Sequence, residues 1–207
     1  NTLVDSWPQD FETSNQVFKA LGYPPMDAVE MLQQPHTPAV LAIMERTGLP
    51  YEIVKSAYNT VYAAVHQTPA APFPGAHALL ELIKEMGILT AVISNKENDL
   101  LQDTLKEIGW RDYFDVVYGA HPNKPHKPDP GVIKEIITMF SYPIEKEEIF
   151  FVGDALSSDI ACALQAKVVP IWVSQYSIDE VMFGDSGPHI LKTENCLTLT
   201  QLLKRWM

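Results

Sequence analysis

Phe150-Phe151-Val152-Gly153-Asp154-Ala155-Leu156-Ser157-Ser158-Asp159 is the stretch that decides how the rest of the chain is read. An apolar run, Ile149 to Val152, stops at a glycine, and two carboxylates follow, five positions apart. Ile160-Ala161-Cys162-Ala163-Leu164 then resumes with helical character. A short continuous apolar run closed by glycine reads as a buried parallel strand. Ligands of open parallel sheets bind just beyond the carboxyl ends of the strands, which is where Asp154 and Asp159 stand. Two acids this close repel unless a cation lies between them. Mg2+ suits such a pair, because it takes oxygen ligands and keeps part of its water shell. The competing reading is that both carboxylates cap the helix that follows.

Outward from this stretch, the second half of the chain alternates helix and strand. Leu79, Leu82, Ile83 and Met86 form a helical stripe closed by Gly87, and Ile88 to Ile93 is a strand ended by Ser94-Asn95-Lys96. Leu101, Leu105 and Ile108 mark a helix, and Phe114 to Tyr118 a short strand. A proline-rich loop carrying His121, His126 and Lys127 leads to a helix over Val132 to Phe140. Val168 to Val173 is a strand, and Leu199, Leu202, Leu203 and Trp206 lie on a last amphipathic helix. The alternation predicts an α/β fold, a Rossmann-like parallel sheet with helices on both faces.

The first third reads differently. From about Trp7 to Thr68 only helical spacing recurs, clearest in Ile53, Val54, Ala57, Tyr58, Val61, Tyr62 and Val65. The segment Thr68-Pro69-Ala70-Ala71-Pro72-Phe73-Pro74-Gly75 is proline-rich and reads as a boundary. The expected architecture is therefore an α/β core with an inserted all-helical module, hung at the sheet's carboxyl edge where it can act as a lid.

The chain has 207 residues, 46% of them apolar and 20% charged, with a net charge of −11. The length suffices for one core plus a small insert. The charge argues against nucleic acid or an anionic membrane surface as partner. An anionic substrate stays admissible, since a metal ion and lysines reverse the sign locally. No stretch approaches a membrane span, and Asn1 begins no basic-plus-apolar leader pattern. Cys162 and Cys196 make no ligand spacing; Cys162 reads as a small buried hydrophobe, and the cysteine usage as a reducing, cytoplasmic setting.

Three strand ends thus deliver polar groups to one edge: Ser94 and Asn95, Lys127, and Asp154 with Asp159. A hydroxyl and an amide to bond oxygens, an ammonium, and carboxylates to hold Mg2+ together suit a phosphoryl group. In this order the residues resemble the haloacid dehalogenase superfamily, and within it the small-helical-cap group that includes phosphoglycolate phosphatases. Ser94 in Val92-Ile93-Ser94-Asn95-Lys96 matches the family's Ser/Thr after the second strand. Lys127 in His126-Lys127-Pro128-Asp129-Pro130 matches its phosphate-binding lysine, and Gly153-Asp154 through Asp159 its acidic metal motif. Thr2-Leu3-Val4-Asp5-Ser6 matches the end of its first motif, whose two aspartates and strand, central in the family's sheet, would precede Asn1.

The resemblance implies residues 1–7 as the start of the core, 8–70 as the helical cap and 71–207 as the α/β hydrolase core. It implies Mg2+-dependent hydrolysis of a small phosphomonoester through an aspartyl-phosphate, with a small phosphorylated metabolite as partner and a monomer or homodimer as the working unit. Asp154 and Asp159 would serve the metal, Asp159 through water or by orienting Lys127. Ser94, Asn95, Lys127 and Thr2 would serve the phosphate, with Lys127 and Ser94 also acting in catalysis. The alternatives are a non-catalytic phosphate binder, if the upstream aspartates are absent, and a phosphosugar mutase on the same fold. A haloalkanoate dehalogenase fits the acid pair less well, because that chemistry needs no metal.

Other residues draw attention. His121 and His126 lack a companion ligand set. Arg46, Lys55 and His36 on the insert are candidates for a substrate's carboxylate or sugar, against the simpler reading of solvated surface groups. Tyr58 and Tyr62 are expected to pack inside the insert, and Trp7 to line the cleft entrance or to pack.

Overall fold

The computed structural model describes residues 1–33, 37–174 and 190–206. His36 lies outside them. The chain opens on a two-residue strand, β1 (Val4–Asp5), then runs through four helices: α1 (Trp7–Ala20), α2 (Ala28–Gln33), α3 (Ala39–Thr47) and α4 (Tyr51–Val65). Pro8 sits in the first turn of α1, where its missing N–H costs nothing. Val17, Phe18, Val40, Ile43, Val54 and Tyr58 come from α1, α3 and α4 to form one fully buried cluster. The chain returns along β2 (Ala71–Pro72), which pairs antiparallel with β1, Val4 opposite Pro72 and Asp5 opposite Ala71. The proline-rich boundary segment is thus one half of a two-stranded tie where the chain leaves for, and comes back from, the helices.

The remainder alternates: α5 (Ala76–Glu85), β3 (Ala91–Glu97), α6 (Asn98–Glu107), β4 (Val116–Ala120), α7 (Gly131–Met139), β5 (Phe150–Gly153), α8 (Ala161–Ala166), β6 (Val169–Val173), β7 (Leu191–Thr193) and α9 (Cys196–Trp206). β3 pairs parallel with β4, and β5, β6 and β7 pair parallel in that order. Side chains alternate between two apolar layers, as the period of two requires. Val117 and Val152 join the layer of Leu79, Leu80, Leu101, Leu105 and Leu199 from α5, α6 and α9. Val116, Tyr118 and Phe151 join that of Val132, Ile133, Ile136, Cys162 and Ala163 from α7 and α8. Helices cover both faces, so the strands carry near-continuous apolar runs. Among the described residues β3 and β5 are not hydrogen-bonded to each other, and the ladder falls into two halves that share the first apolar layer.

Several details differ from the sequence reading. The second strand starts at Ala91, not Ile88, and runs on through Ser94-Asn95-Lys96 to Glu97. Ile88 and Leu89 are each 45% exposed. The Asp115 carboxylate takes the Thr90 N–H, and Thr90 O takes the Asp115 and Val116 N–H groups, which ends the ladder there. Phe150, counted with the buried run, is 52% exposed at the foot of β5. β7 carries no alternation long enough to be recognised. Cys162 and Cys196 are buried and unbridged. Burial pushes both thiols up to about 11.

Candidate active site

The site is made by an irregularity in β3. Ile93 stands opposite Tyr118, and Glu97 opposite Ala120, so four steps on β3 face two on β4. A bulge of this kind breaks the ladder and re-aims side chains. It throws Ser94, Asn95 and Lys96 out of the ladder at the carboxyl edge of the sheet. Ile93 O, at the start of the bulge, accepts a hydrogen bond from Lys127 Nζ at 3.1 Å. The Asn95 side chain clamps the lysine's backbone from both sides, donating to Lys127 O at 2.9 Å and accepting from Lys127 N at 3.1 Å. Ser94 Oγ accepts the Lys96 N–H at 3.1 Å.

Lys127 Nζ pairs with Asp159 Oδ1 at 2.7 Å, with side chains 13% and 4% exposed. Asp159 Oδ2 accepts two backbone N–H groups, from Asp154 and Ala155, each at 3.0 Å. Burial alone would raise the Asp159 pKa. The Lys127 charge beside it and the bond from Ala155 outweigh that and hold it below the usual carboxylate range. Asp159 sits in a wide turn, Leu156–Ile160, ahead of α8 and folds back on Gly153. It therefore caps its own loop and also fixes Lys127, and both of its oxygens are committed to protein donors.

Asp154 is arranged differently. Its Oδ1 accepts the Thr2 hydroxyl at 2.8 Å, and its side chain is 22% exposed. Its backbone carbonyl is pinned by the Trp172 indole N–H at 3.0 Å. Among the described residues its Oδ2 has no hydrogen-bond partner. A carboxylate oxygen on a partly exposed side chain is a suitable hard ligand for Mg2+, which asks the protein for one or two carboxylates and takes the rest from water and phosphate. No group of three or more metal-binding side chains occurs among the described residues, so Asp154 offers a part of a site.

Thr2, Ser94, Asn95, Lys127, Asp154 and Asp159 are thus tied by hydrogen bonds and an ion pair to one edge of the sheet. Of the other residues singled out, His126 Nδ1 lies 3.1 Å from Lys127 O, and the His121 ring accepts the Asn123 N–H. Arg46 pairs with Glu30 and covers the Phe18 ring. Trp7 stacks on Phe11. Tyr58 is buried within the helical cluster, and Tyr62 packs against that cluster, stacked on Tyr58, while its hydroxyl reaches the seam. Its hydroxyl accepts from Lys96 Nζ at 3.0 Å and lies 3.2 Å from Thr104 Oγ1 on α6.

The seam between α1, α4 and the end of β3 joins Lys55 and Tyr62, already singled out, to polar residues the sequence did not mark. Lys55 Nζ and the Tyr51 hydroxyl both donate to Glu97 Oε2 at 3.0 Å, and Glu97 is 5% exposed. Lys96 reaches the other way, to Asp10 and Tyr62. Burial works against its charge, but Asp10 and Tyr62 more than offset this, and its pKa is raised. His66 stacks on Tyr62 with ring centroids 3.6 Å apart. Burial, with Lys96 nearby, lowers its pKa to about 4. Alternating opposite charges directly after Ser94 were the available signal, but Lys96 and Glu97 read equally well as a solvated strand end.

Residues 1–173 match the family of haloacid dehalogenase-like hydrolases. A relative from Caldanaerobacter subterraneus, whose name places it with the pyrophosphatases (PpaX), is 30% identical over 73% of this chain and 67% of its own length. A phosphoglycolate phosphatase from Neisseria meningitidis is 32% identical over 50% of this chain and 43% of its own length. One from Rhodobacter capsulatus is 25% identical over 99% of this chain and 94% of its own. Among solved structures, CbbY from Rhodobacter sphaeroides in complex with phosphate has the same fold, with a TM-score of 0.77 at 20% identity over 96% of this chain and 92% of that one. No helix among the described residues is long and apolar enough to cross a membrane. With its family match covering both the helical unit and the strand ends that carry Ser94, Lys127 and Asp154, the chain belongs to the haloacid dehalogenase-like hydrolases.

Proposed function

We propose that this protein hydrolyses a small phosphomonoester with Mg2+, as its phosphoglycolate phosphatase relatives do by name. The observation that carries the reading is the Lys127–Asp159 pair at 2.7 Å, held at the sheet edge between Ser94 and Asp154. A buried ammonium paired with a carboxylate that the Asp154 and Ala155 N–H groups also hold in place is a fixed positive pole for phosphoryl oxygens. Ser94 donates its hydroxyl to the same oxygens, and Asn95 keeps the Lys127 loop in register. Thr2 orients Asp154, which with the two aspartates that the family resemblance places ahead of Asn1 would hold the metal. When bound, Mg2+ supplies neutralisation of the charge on the transferred group. In the family pattern the first upstream aspartate attacks phosphorus in line, and the second protonates the leaving oxygen and then activates water. Residues 8–70 act as a cap over the core formed by 1–7 and 71–207, with Tyr51, Lys55 and Tyr62 of α4 meeting the end of β3 and α6. A closed cap excludes bulk water from the reacting group.

The test is a screen of the full-length protein against phosphomonoesters with and without Mg2+. Lys127→Ala is expected to lower kcat/KM by at least about a hundredfold, the scale on which removing a single electrostatic stabiliser acts. It is also expected to abolish inhibition by inorganic phosphate. Unchanged phosphate inhibition in that variant would overturn the assignment.

A further inference from the structure

Lys127 is only as well placed as the loop that carries it. On its outer side that loop faces an open cleft of about 820 Å3, lined by Lys124, Pro125, His126, Pro128, Asp129 and Gln165, so packing does not hold it there. Its place then rests on hydrogen bonds. Asn95 accepts from Lys127 N and donates to Lys127 O. Asp129 O meets the Cys162 thiol, a weak donor, at 3.5 Å. A further anchor is the Tyr118 hydroxyl, which reaches Pro125 O, two residues before Lys127, at 3.0 Å. Tyr118 lies on β4 directly opposite Ile93, whose carbonyl accepts Lys127 Nζ. One pair of facing strand residues thus holds the head of the lysine through Ile93 and the loop behind it through Tyr118.

The Tyr118 hydroxyl has one proton and two claimants. Glu135 Oε2, on α7, lies at the same 3.0 Å as Pro125 O. The tyrosine is buried, and burial, with the Glu135 carboxylate beside it, pushes its pKa above the ordinary value, so the proton stays on through neutral pH. A hydroxyl donates once. What it gives to Glu135 it takes from the loop, unless another donor satisfies the carboxylate. Lys124 is placed to do so, with Nζ 3.5 Å from Glu135 Oε2 and 5.8 Å from the centre of the Tyr118 ring. Resting on the phosphomonoesterase reading, we propose that Tyr118 is a positioning residue for Lys127: its hydroxyl holds Pro125 O and so sets where the ammonium stands at the phosphate site, while Glu135 competes for the same proton and weakens that hold.

The experiment compares the wild type, Tyr118→Phe and Glu135→Gln in the full-length protein with Mg2+. It measures the dissociation constant of inorganic phosphate by calorimetry, kcat and KM for p-nitrophenyl phosphate, and the urea midpoint. Tyr118→Phe keeps the ring and removes only the anchor. Phosphate is expected to bind about fivefold more weakly, the scale of one neutral hydrogen bond passed on in full. The expected fall in kcat is about tenfold or more, because the ammonium also faces charge that develops in the transition state. Glu135→Gln keeps the shape of the side chain, and its amide can donate to the phenol oxygen, which leaves the hydroxyl proton to Pro125 O. Phosphate is expected to bind this variant at least as tightly as the wild type, with kcat retained. General support of the fold would instead weaken both variants alike. Unchanged phosphate affinity in Tyr118→Phe overturns the proposal even where the urea midpoint drops, as does a weakening in Glu135→Gln equal to that in Tyr118→Phe. If Tyr118→Phe does not fold, Glu135→Gln decides alone, and weaker phosphate binding there overturns the proposal. A wild type that binds phosphate but hydrolyses no phosphomonoester overturns the phosphatase reading and leaves the phosphate measurements to decide this one; a wild type that binds no phosphate overturns both.

Discussion

Asp159 and Asp154 are both acids after one strand, yet they do separate work. Asp159 is buried, with every oxygen taken by Lys127 or by backbone N–H groups. Removing it leaves an unpaired buried ammonium and two unmet donors, so Asp159→Ala is expected to lose about 3–5 kcal/mol of stability in urea unfolding at pH 7. The loss has a pH signature. The folded-state pKa of Asp159 is depressed, so its contribution is fully present above its unfolded value of about 4 and is lost as pH falls through the lower folded value. The gap between wild type and variant should therefore be constant near neutrality and close below about pH 4. A gap unchanged down to the acid transition would detach Asp159 from Lys127. This division of labour was half legible in the sequence. The position of both acids after a glycine-terminated strand follows from chain order alone. Which of them keeps an oxygen free depends on how the turn Leu156–Ile160 folds back, and no spacing states that. Lys96, Asp10 and His66 were less legible still, because they meet across a seam between segments well separated in the chain.

At the scale of elements, the bulge in β3 and the glycine closing β5 shape the site together. Gly153 lies under Asp159, and a Cβ placed on it would come within 2.5 Å of Asp159 Cγ and Oδ2. The glycine is needed for this close approach, and its φ is not in the left-handed region. Gly153→Ala is expected to push Asp159 away from the Asp154 and Ala155 N–H groups and to loosen Lys127 in turn. The expected cost is about 1–3 kcal/mol in urea unfolding, in the range of other overpacking substitutions. Inhibition by inorganic phosphate should weaken in parallel. A stability loss with phosphate inhibition intact would mean that the turn absorbs the methyl without moving Lys127. The glycine's place at the strand end could be read from the sequence, but the atom it makes room for could not. The alternation of helices and strands was legible because each element carries its own period. The start of β3 at Ala91 and the β1–β2 tie were not, since both are fixed by the partner strand and not by the local pattern. Two-residue strands hold no period at all.

The whole molecule carries a net charge of −11, and this bears on any claim about a metal. A strongly acidic protein is stabilised by any cation that screens its self-repulsion, so Mg2+ raising the melting temperature proves little by itself. A site at Asp154 makes a sharper statement. Screening depends on ionic strength and acts on all carboxylates alike, whereas binding to the folded state alone adds stability by mass action, about 2.7 kcal/mol at a hundred times Kd. For a chain of this size that corresponds to roughly 5–10 °C. In the full-length protein Mg2+ is therefore expected to raise Tm by several degrees beyond NaCl of equal ionic strength, and Asp154→Asn to retain the NaCl-like part only. The substitution removes one charge from a large excess, so the screening contribution should hardly change. Its Thr2 contact also survives, since an amide oxygen accepts the same hydroxyl. An equal Mg2+ increment in wild type and variant would assign the whole effect to the surface and leave Asp154 as a carboxylate that does no more than anchor Thr2.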